Sequence, residues 1–419
     1  MYSIEVVADD FTGAMDTSHG FASRGYGTAV VVDPEAEMRA IEETAVVLGV
    51  NTDTRYSDSA VAYDTVVDSI KKTSAKTVYK KVDSTLRGNF ATEVDAALTS
   101  VGANFALVVP AFPAAGRTTK DGVHYVNGTP VTDTEYGDDE KGPAYSSIPE
   151  LFSPVGRTIE VVSLSTIESG VAEVAVTLAD VIESAKRPPI IVCDALEAAH
   201  VATAAEAATR FDPLYVGSAE LAKHIMITAE QRTPDSFQQS VTGAPMGIVG
   251  SVSKTTLTQL EYVPDDLIIR IDGLDLVKGD IPTESIKQAH ARLCEDQPVI
   301  LTAATSDEDV EQTLTAGHER GLSNSTIRGR VRDGLATTAT DVIRNKSPTG
   351  LFITGGDIAV AVAQKLDATV VTLFGEEVEA GIPIGAFADG DTDGMPLITK
   401  AGGFGSKEAI SRCLKVLTP

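Results

Sequence analysis

The chain is poor in the residues that build metal and redox centres. Its three cysteines, Cys193, Cys294 and Cys413, are far apart in 419 residues and show no metal-ligand spacing; they are expected to be buried free thiols. The six histidines are scattered, with no His-x-x-x-His pair. No window approaches the roughly 20 apolar residues that a membrane span needs. A basic stretch followed by an apolar core is missing from the N-terminus, where strand-type residues start at once with Ile4-Glu5-Val6-Val7. The expectation is a cytoplasmic protein with no export signal and no membrane partner. Cations are scarce as well: 34 Lys and Arg face 60 Asp and Glu, for a net charge of -26. A surface of that sign repels nucleic-acid phosphates and keeps a protein soluble, notably in salt.

At 419 residues the chain exceeds one core of ordinary size, so two domains are expected. Strand-like runs at 4–8, 28–33, 45–51, 77–83, 104–110, 158–164, 189–194 and 213–217 alternate with helical patterns at 13–24, 58–73, 90–100, 167–185 and 197–210. Several of the strands are Val/Ile-rich apolar runs, as expected when both faces are covered. A second series has strands at 246–250, 267–272, 298–304, 350–354 and 368–374 and helices at 254–260, 283–294 and 324–346. The alternation predicts an α/β protein of two domains, each with a mainly parallel or mixed sheet flanked by helices, and an active site in the cleft between them. The polar stretch 230–245 marks the join, giving an N-terminal domain over 1–234, a linker over 235–245 and a C-terminal domain over 246–419. Residues 113–157 break the alternation. Rich in Pro, Gly and Asp, they are expected to form a long loop that acts as a flap or as the contact of a homodimer.

The chemistry concentrates at strand ends, where open α/β sheets bind ligands. Lys80-Lys81-Val82-Asp83-Ser84-Thr85-Leu86-Arg87-Gly88-Asn89 puts three cations, one carboxylate and two hydroxyls in ten residues. It predicts a site for a small polyhydroxylated anion, a locally basic cleft inside an acidic shell. Lys81 and Asp83 share one strand face by the period of two. Ser84 and Asn89 offer a hydroxyl and an amide, and Arg87 falls at the turn; a solvated charge run is the plainer alternative. Asp9 and Asp10 close the first strand, and Thr12 and Gly13 open a helix. One carboxylate can face the crevice while the other supports the turn, or Asp can simply cap the helix. Asn51-Thr52-Asp53-Thr54-Arg55 ends the third strand, where Arg55 can fork onto a carboxylate. In the long loop, Arg117 and Lys120 either close over an anion or belong to a plain turn.

The second half holds three Gly/Ser/Thr-rich turns between strand and helix: Gly250-Ser251-Val252-Ser253, Thr354-Gly355-Gly356-Asp357-Ile358 and Ala401-Gly402-Gly403-Phe404-Gly405. Glycine lets backbone amides approach phosphates closely. Three such turns predict a nucleotide di- or triphosphate site, although no P-loop is present. Asp389-Gly390-Asp391-Thr392-Asp393-Gly394 begins like a calcium loop, but Lys400 stands where the twelfth-position Glu belongs; an acidic surface hairpin is expected instead.

Together these residues resemble the four-carbon acid sugar kinase family, which includes the D-threonate, D-erythronate and 3-oxo-tetronate kinases. The matching pieces are Ala8-Asp9-Asp10-Phe11-Thr12-Gly13, Asn51-Thr52-Asp53-Thr54-Arg55, Lys81-Val82-Asp83-Ser84-Thr85-Leu86-Arg87-Gly88, Pro110-Ala111-Phe112-Pro113, Gly250-Ser251-Val252-Ser253, Thr354-Gly355-Gly356 and Lys400-Ala401-Gly402-Gly403-Phe404-Gly405. They run in the family's order over nearly the whole chain. The resemblance implies a sugar-acid-binding N-terminal domain and a nucleotide-binding C-terminal domain. It implies Asp10, Arg55, Lys81, Asp83 and Ser84 as substrate ligands, and Ser253, the 355–358 turn and Gly402 as nucleotide contacts. Three departures stand out. Tyr136-Gly137-Asp138-Asp139-Glu140 replaces a Phe-Ala-Arg-Asp-Pro type run, which exchanges a cation for acid and implies a different substrate. Ala401 and Gly403 take the Ser and Asn places of the last glycine turn, which implies the loss of a side-chain contact to phosphate. Glu220 stands where Gly is common, which implies a narrower or recharged crevice.

The expected function is ATP-dependent phosphorylation of a hydroxyl, the terminal one, of a small four-carbon sugar acid. Arg55 and Lys81 would pair the substrate carboxylate, Asp83 and Ser84 would bind its hydroxyls, and Asp9, Asp10 and Arg87 complete the substrate-binding set. Asp10 would take the proton, with Asp9 and Asp357 as alternatives. Mg2+, Lys81 or Arg87, and the turns carrying Ser251, Ser253, Thr354, Gly355, Gly356, Asp357, Ile358, Gly402 and Gly403 would position the donor and neutralise its charge; no metal ligands are identified. Two other readings stand. A sugar-acid aldolase, dehydratase or isomerase could use Lys81 as a Schiff base or Asp10 as a proton shuttle, but it leaves the glycine turns unexplained. A non-catalytic sensor of sugar acid and nucleotide would need a partner domain, and no helix-turn-helix or basic patch is present.

Overall fold

The computed structural model describes residues 2–33, 45–231, 236–239 and 241–419. The chain divides into two compact units, Met1–Pro234 and Asp235–Pro419. The first contains β1 (Ile4–Ala8), α1 (Phe11–Ala22), β2 (Thr28–Val31), β3 (Val47–Asn51), α2 (Ser59–Thr73), β4 (Thr77–Lys81), α3 (Phe90–Val101), β5 (Ala106–Val109), β6 (Arg117–Lys120), β7 (Val123–Val126), β8 (Thr129–Pro130), α4 (Ile148–Phe152), β9 (Ile159–Val162), α5 (Leu164–Glu168), α6 (Val171–Ser184), β10 (Ile190–Cys193), α7 (Ala198–Ala208), β11 (Leu214–Gly217) and α8 (Ala219–Ala222). Its main sheet is parallel throughout, in the order β2-β3-β1-β4-β11-β5-β10-β9.

Helices cover both faces of this sheet, and that is why β1, β2, β3, β5, β10 and β11 are buried at every position. Alternate side chains feed two cores. Val6, Val47, Tyr79 and Leu107 pack with α1, α6, α7 and α8. Val7, Val78 and Val108 pack with α2, α3 and α4. β1 therefore leads into a helix on one face, while its neighbours β3 and β4 lead into helices on the other. Such a reversal opens a crevice at the carboxyl ends of the strands. Register sets what lines it: Ala8 lies opposite Asn51 on β3 and Lys81 on β4. The motifs that follow those three residues are thereby placed side by side.

Residues 113–157 are not the structureless loop expected from their composition. β6, β7 and β8 form an antiparallel meander. Its two tight turns are Asp121-Gly122, at φ 53° and 71°, and Asn127-Gly128, at φ 49° and 81°. Both are left-handed pairs that suit Asp-Gly and Asn-Gly and match the twist of a hairpin. Asp194 anchors the first turn by accepting from the amides of Asp121 and Gly122 at 2.8 and 3.0 Å. The helix expected over 167–185 is broken into α5 and α6 at Ser169-Gly170, with Gly170 at φ 97°.

The second unit contains β12 (Met246–Val249), α9 (Lys254–Leu260), β13 (Ile268–Arg270), α10 (Gly273–Lys278), α11 (Thr283–Cys294), β14 (Val299–Thr302), α12 (Asp307–His318), α13 (Asn324–Asn345), β15 (Leu351–Thr354), α14 (Gly356–Lys365), β16 (Val370–Glu377), β17 (Pro383–Phe387), β18 (Pro396–Lys400) and α15 (Ala409–Leu417). β13-β14-β12-β15-β18 are parallel, and β17 and β16 continue antiparallel. Sequence reading missed β17, α10 and α12, and it gave β18, α14 and α15 no ranges although it set a strand and a helix about the last two glycine turns. β17 and β18 each open on a proline, which a strand tolerates at its first residue. Ile410, Cys413, Leu414 and Leu417 make α15 a legible stripe, buried against the sheet beside α9.

Residues 235 and 240 of the expected linker lie outside the described residues. Phe237 and Gln239, within the same stretch, are held on the second unit: the Phe237 amide donates to Glu376, and Gln239 Nε2 donates to the Thr349 and Leu417 carbonyls. Cys193 and Cys413 are buried free thiols as expected, but Cys294, at the solvent-facing end of α11, is exposed. Among the described residues no helix is long and apolar enough to cross a membrane.

Candidate active site

Asp9 and Asp10 follow β1 and have separate tasks. Asp9 is enclosed, its side chain 3% exposed. It takes a forked pair from Arg55, Nε to Oδ2 at 2.8 Å and Nη2 to Oδ1 at 3.0 Å. The fork expected of Arg55 is thus made to the protein's own carboxylate. Asp10 caps α1, accepting from the Gly13 amide at 3.2 Å and the Thr12 hydroxyl at 2.6 Å, and also takes Arg55 Nη2 at 2.7 Å. Its side chain keeps 13% exposure. Burial works to raise the Asp10 carboxyl, but Arg55, Lys81 and Thr12 outweigh it and hold the group below its ordinary range. Arg55 is pressed the other way: burial disfavours its charge, and Asp10, Asp9 and Asp83 overcome that and hold it well above its usual value.

β4 delivers the other half. Lys80 and Lys81 point to opposite faces, as the period of two requires. Lys80 is fully buried and pairs with Glu93 of α3 at 2.8 Å. It therefore lies away from the anion site in which the ten-residue charge cluster had placed it. Lys81 points into the crevice, and among the described residues its Nζ makes no hydrogen bond or ion pair. Gly13 allows this approach, because a Cβ there would collide with Asp10 Oδ1 and sit 2.8 Å from Lys81 Nζ. Asp83 binds Arg87, Nε to Oδ2 at 2.7 Å, and lies 3.8 Å from Arg55. Burial works to raise the Asp83 carboxyl, and Arg87 and Arg55 drive it well below its usual range. Ser84 is buried beside it, and its hydroxyl makes no hydrogen bond among the described residues. Asn89 is spent on structure, donating to the Thr54 and Ser57 carbonyls.

Several supports were not foreseen from the sequence. Leu86 sits at φ 61°, a costly left-handed position for a branched residue, and its side chain is buried in the core. That bend returns Arg87 to Asp83. His124 of β7 reaches the Ser84 carbonyl with Nε2 at 2.8 Å and meets Thr119 Oγ1 with Nδ1 at 3.0 Å. Burial lowers the imidazole to about 4, so it is neutral, with Nε2 as donor. The acidic departure after Thr134-Glu135 is placed on Arg87: Asp139 lies 3.6 Å from it and also accepts from Tyr56 at 3.1 Å. Arg117 is buried and donates to Tyr136 and the Ala115 carbonyl, whereas Lys120 is exposed; neither is set to close over an anion. Glu220 is balanced inside the first unit by Lys223 at 3.2 Å and His224 at 3.1 Å.

In the second unit, register again gathers the motifs. Val249 lies opposite Thr354, and Thr354 opposite Lys400, so the turns after β12, β15 and β18 share one edge. The Ser251 amide donates to the Thr354 carbonyl at 3.1 Å, and the Gly355 amide to the Lys400 carbonyl at 3.2 Å. Ser253 caps α9 and donates to the Gly402 carbonyl at 2.7 Å. A Cβ at Gly402 would collide with Ser251 Oγ and come within 3.0 Å of Ser253 Oγ. Gly355, at φ 108°, opens α14 with no side-chain cap, so the first amides of that helix are available to an anion. Gly356 begins the helix, Asp357 is exposed, Ile358 is buried beneath Gly250, and Gly403 is half-buried. Thr354 points inward, its hydroxyl buried and without a hydrogen-bond partner among the described residues. The arrangement can hold phosphates on backbone amides.

Known proteins divide the chain in the same two parts. The family model described as a sugar-binding N-terminal domain matches residues 4–225, and that described as a nucleotide-binding C-terminal domain matches residues 246–410. The D-threonate kinase of Salmonella typhimurium is 32% identical over 432 residues, covering 98% of this chain and 97% of its own length. The D-erythronate kinase of Heliobacterium modesticaldum is 28% identical over 432 residues, covering 100% and 97%. A crystal structure from Salmonella typhimurium LT2 shares the fold, with a TM-score of 0.78 at 21% identity over 98% of each chain.

Proposed function

We propose a specific reaction for this chain, which belongs to the four-carbon acid sugar kinase family and is a carbohydrate-acid kinase: transfer of the γ-phosphoryl group of ATP to the terminal hydroxyl of a four-carbon sugar acid. The observation that carries this reading is the pairing, at the switch point of the first unit, of a partly open acceptor, Asp10, with an uncommitted cation, Lys81. Lys81 binds the substrate carboxylate, and Ser84 a hydroxyl. A carboxylate offers about four acceptor positions; Asp10 has three filled by Gly13, Thr12 and Arg55 and gives the fourth to the attacking hydroxyl. Its depressed pKa is no obstacle, because a loose phosphoryl-transfer transition state demands orientation more than strong base. Asp9 is enclosed and serves as the counter-charge that aims Arg55.

The donor rests on the amides of the 250–253, 354–358 and 401–405 turns. Mg2+ fits as an ion carried largely by nucleotide phosphates and waters; Asp357, exposed at that edge, is the carboxylate that would hold it. When bound it supplies charge neutralisation. The names of the relatives support the acceptor class: D-threonate, D-erythronate and 3-oxo-tetronate kinases align over nearly all of the chain. The test is a panel of those acids with ATP and Mg2+, read by ADP release and by the position of phosphate in the product. Acid-dependent ADP with phosphate on the terminal oxygen is expected. ADP release from none of the acids, or phosphate on another oxygen, contradicts the reading.

A further inference from the structure

Lys400 ends β18 with its side chain enclosed, 0% of the residue being exposed. Among the described residues no carboxylate pairs with it. Nζ instead donates to Thr256 Oγ1 at 3.2 Å and to the carbonyls of Ala401, Gly402 and Phe404 at 3.1, 3.2 and 3.3 Å. A buried ammonium without a counter-charge is expensive, so this lysine does more than fill space. The Gly402 carbonyl also accepts from Ser253 at 2.7 Å and from Thr256 at 3.0 Å, and its direction is fixed from several sides. In a trans peptide the carbonyl and the following N–H point opposite ways, and the chain has no cis peptide among the described residues. Drawing the carbonyls of Ala401, Gly402 and Phe404 inward therefore turns the amides of Gly402, Gly403 and Gly405 outward. Among the described residues those amides donate no hydrogen bond.

We propose that Lys400 is a positioning residue for the nucleotide phosphates: without touching them, it holds the carbonyl side of the 401–405 turn so that the opposite side forms an amide nest for an anion. This rests on reading the second unit as the nucleotide site. The ionisable groups facing Nζ are Cys413 of α15 and Glu379 ahead of β17. Glu379 is paired with Arg412 at 3.2 Å and accepts from Ser406. Burial pulls the Lys400 ammonium down to about 7, and Glu379 offsets part of that. Burial pushes the Cys413 thiol up, so it stays neutral.

The test is titration of the full chain with MgADP at pH 6 to 9 for the wild type, Lys400→Met, Lys400→Gln and Thr256→Val. Lys400→Met should weaken MgADP binding about tenfold or more at the acid end. The ratio of wild-type to variant affinity should shrink as pH rises through 7, because the wild type loses its ammonium there. That ratio cancels the titration of the nucleotide itself. Thr256→Val keeps the charge and removes one support, so a loss of about two- to fivefold is expected, and Lys400→Gln should fall between. A folded Lys400 variant with wild-type affinity at the acid end overturns the proposal, as does a loss of equal size at every pH, which marks mere structural damage. If Lys400→Met does not fold, Lys400→Gln carries the same criteria, and Thr256→Val with wild-type affinity at the acid end also counts against the proposal. A wild type that binds no MgADP sinks the nucleotide reading itself.

Discussion

Asp10 combines a capping role with an open acceptor position, and these separate under substitution. Asp10→Asn keeps a good cap but loses the charge, so turnover should fall about 100-fold or more with MgADP affinity close to wild type. Turnover within a few-fold of wild type would remove Asp10 from proton transfer. Arg55 and Lys81 differ in a similar way. Arg55→Ala strands the buried carboxylates Asp9 and Asp10 and should cost about 3–5 kcal/mol of stability. Lys81→Met breaks no ion pair and should leave stability nearly unchanged while raising the KM for the sugar acid. Denaturant unfolding beside steady-state kinetics separates the two; equal stability losses would contradict the assignment. At this scale Lys81 and Asp83 were legible, because the period of two puts them on one face. The same rule sends Lys80 to the other face, but its partner Glu93 stands on a helix thirteen residues away, and only folding brings it near.

Elements depend on buried polar groups as well as on apolar patterning. Glu5 of β1 accepts from Ser69 and Thr73 of α2, tying strand to helix. Burial raises its carboxyl despite those hydroxyls. The folded state thus holds the Glu5 proton more tightly than the unfolded chain, so Glu5 subtracts stability as pH rises above the ordinary carboxylate range. Glu5→Gln keeps an acceptor and removes the ionisation. It should melt higher than wild type at pH 8, with the advantage shrinking toward pH 4; an advantage confined to acid pH would reverse the sign. Most strands and helices of the first unit were visible in the alternation of apolar runs and amphipathic stretches. The meander at 113–157 was not, although Asp121-Gly122 and Asn127-Gly128 are hairpin signals. Its strands carry Arg, Thr, Lys and His, so composition pointed to a loop while turn chemistry pointed to hairpins. Leu86 left no sequence signal at all, since nothing local announces that a leucine will take a left-handed conformation.

Across the molecule, the two-part α/β plan was readable from the repeated alternation, but the convergence of motifs was not. Motifs separated by tens of residues meet because parallel register aligns Ala8 with Asn51 and Lys81, and Val249, Thr354 and Lys400 with one another. Register is a long-range property that no single segment encodes. The net charge of -26 adds a property of the whole chain: self-repulsion that salt screens. Raising NaCl from about 0.05 to about 0.5 M should raise the melting temperature, since the Debye length shortens several-fold over that range; a flat or falling trend would show that local ion pairs outweigh the net charge.

The central claim is a division of labour: the sugar acid at Asp10 and Lys81, the nucleotide at Gly355 and Gly402. Calorimetric titration of Lys81→Met and Gly402→Ala with each ligand tests it most directly. Lys81→Met should lose sugar-acid binding and keep MgADP. Gly402→Ala, whose new methyl group would collide with Ser251, should lose MgADP and keep the sugar acid. Loss of nucleotide binding in Lys81→Met, with Gly402→Ala unaffected, would contradict the account.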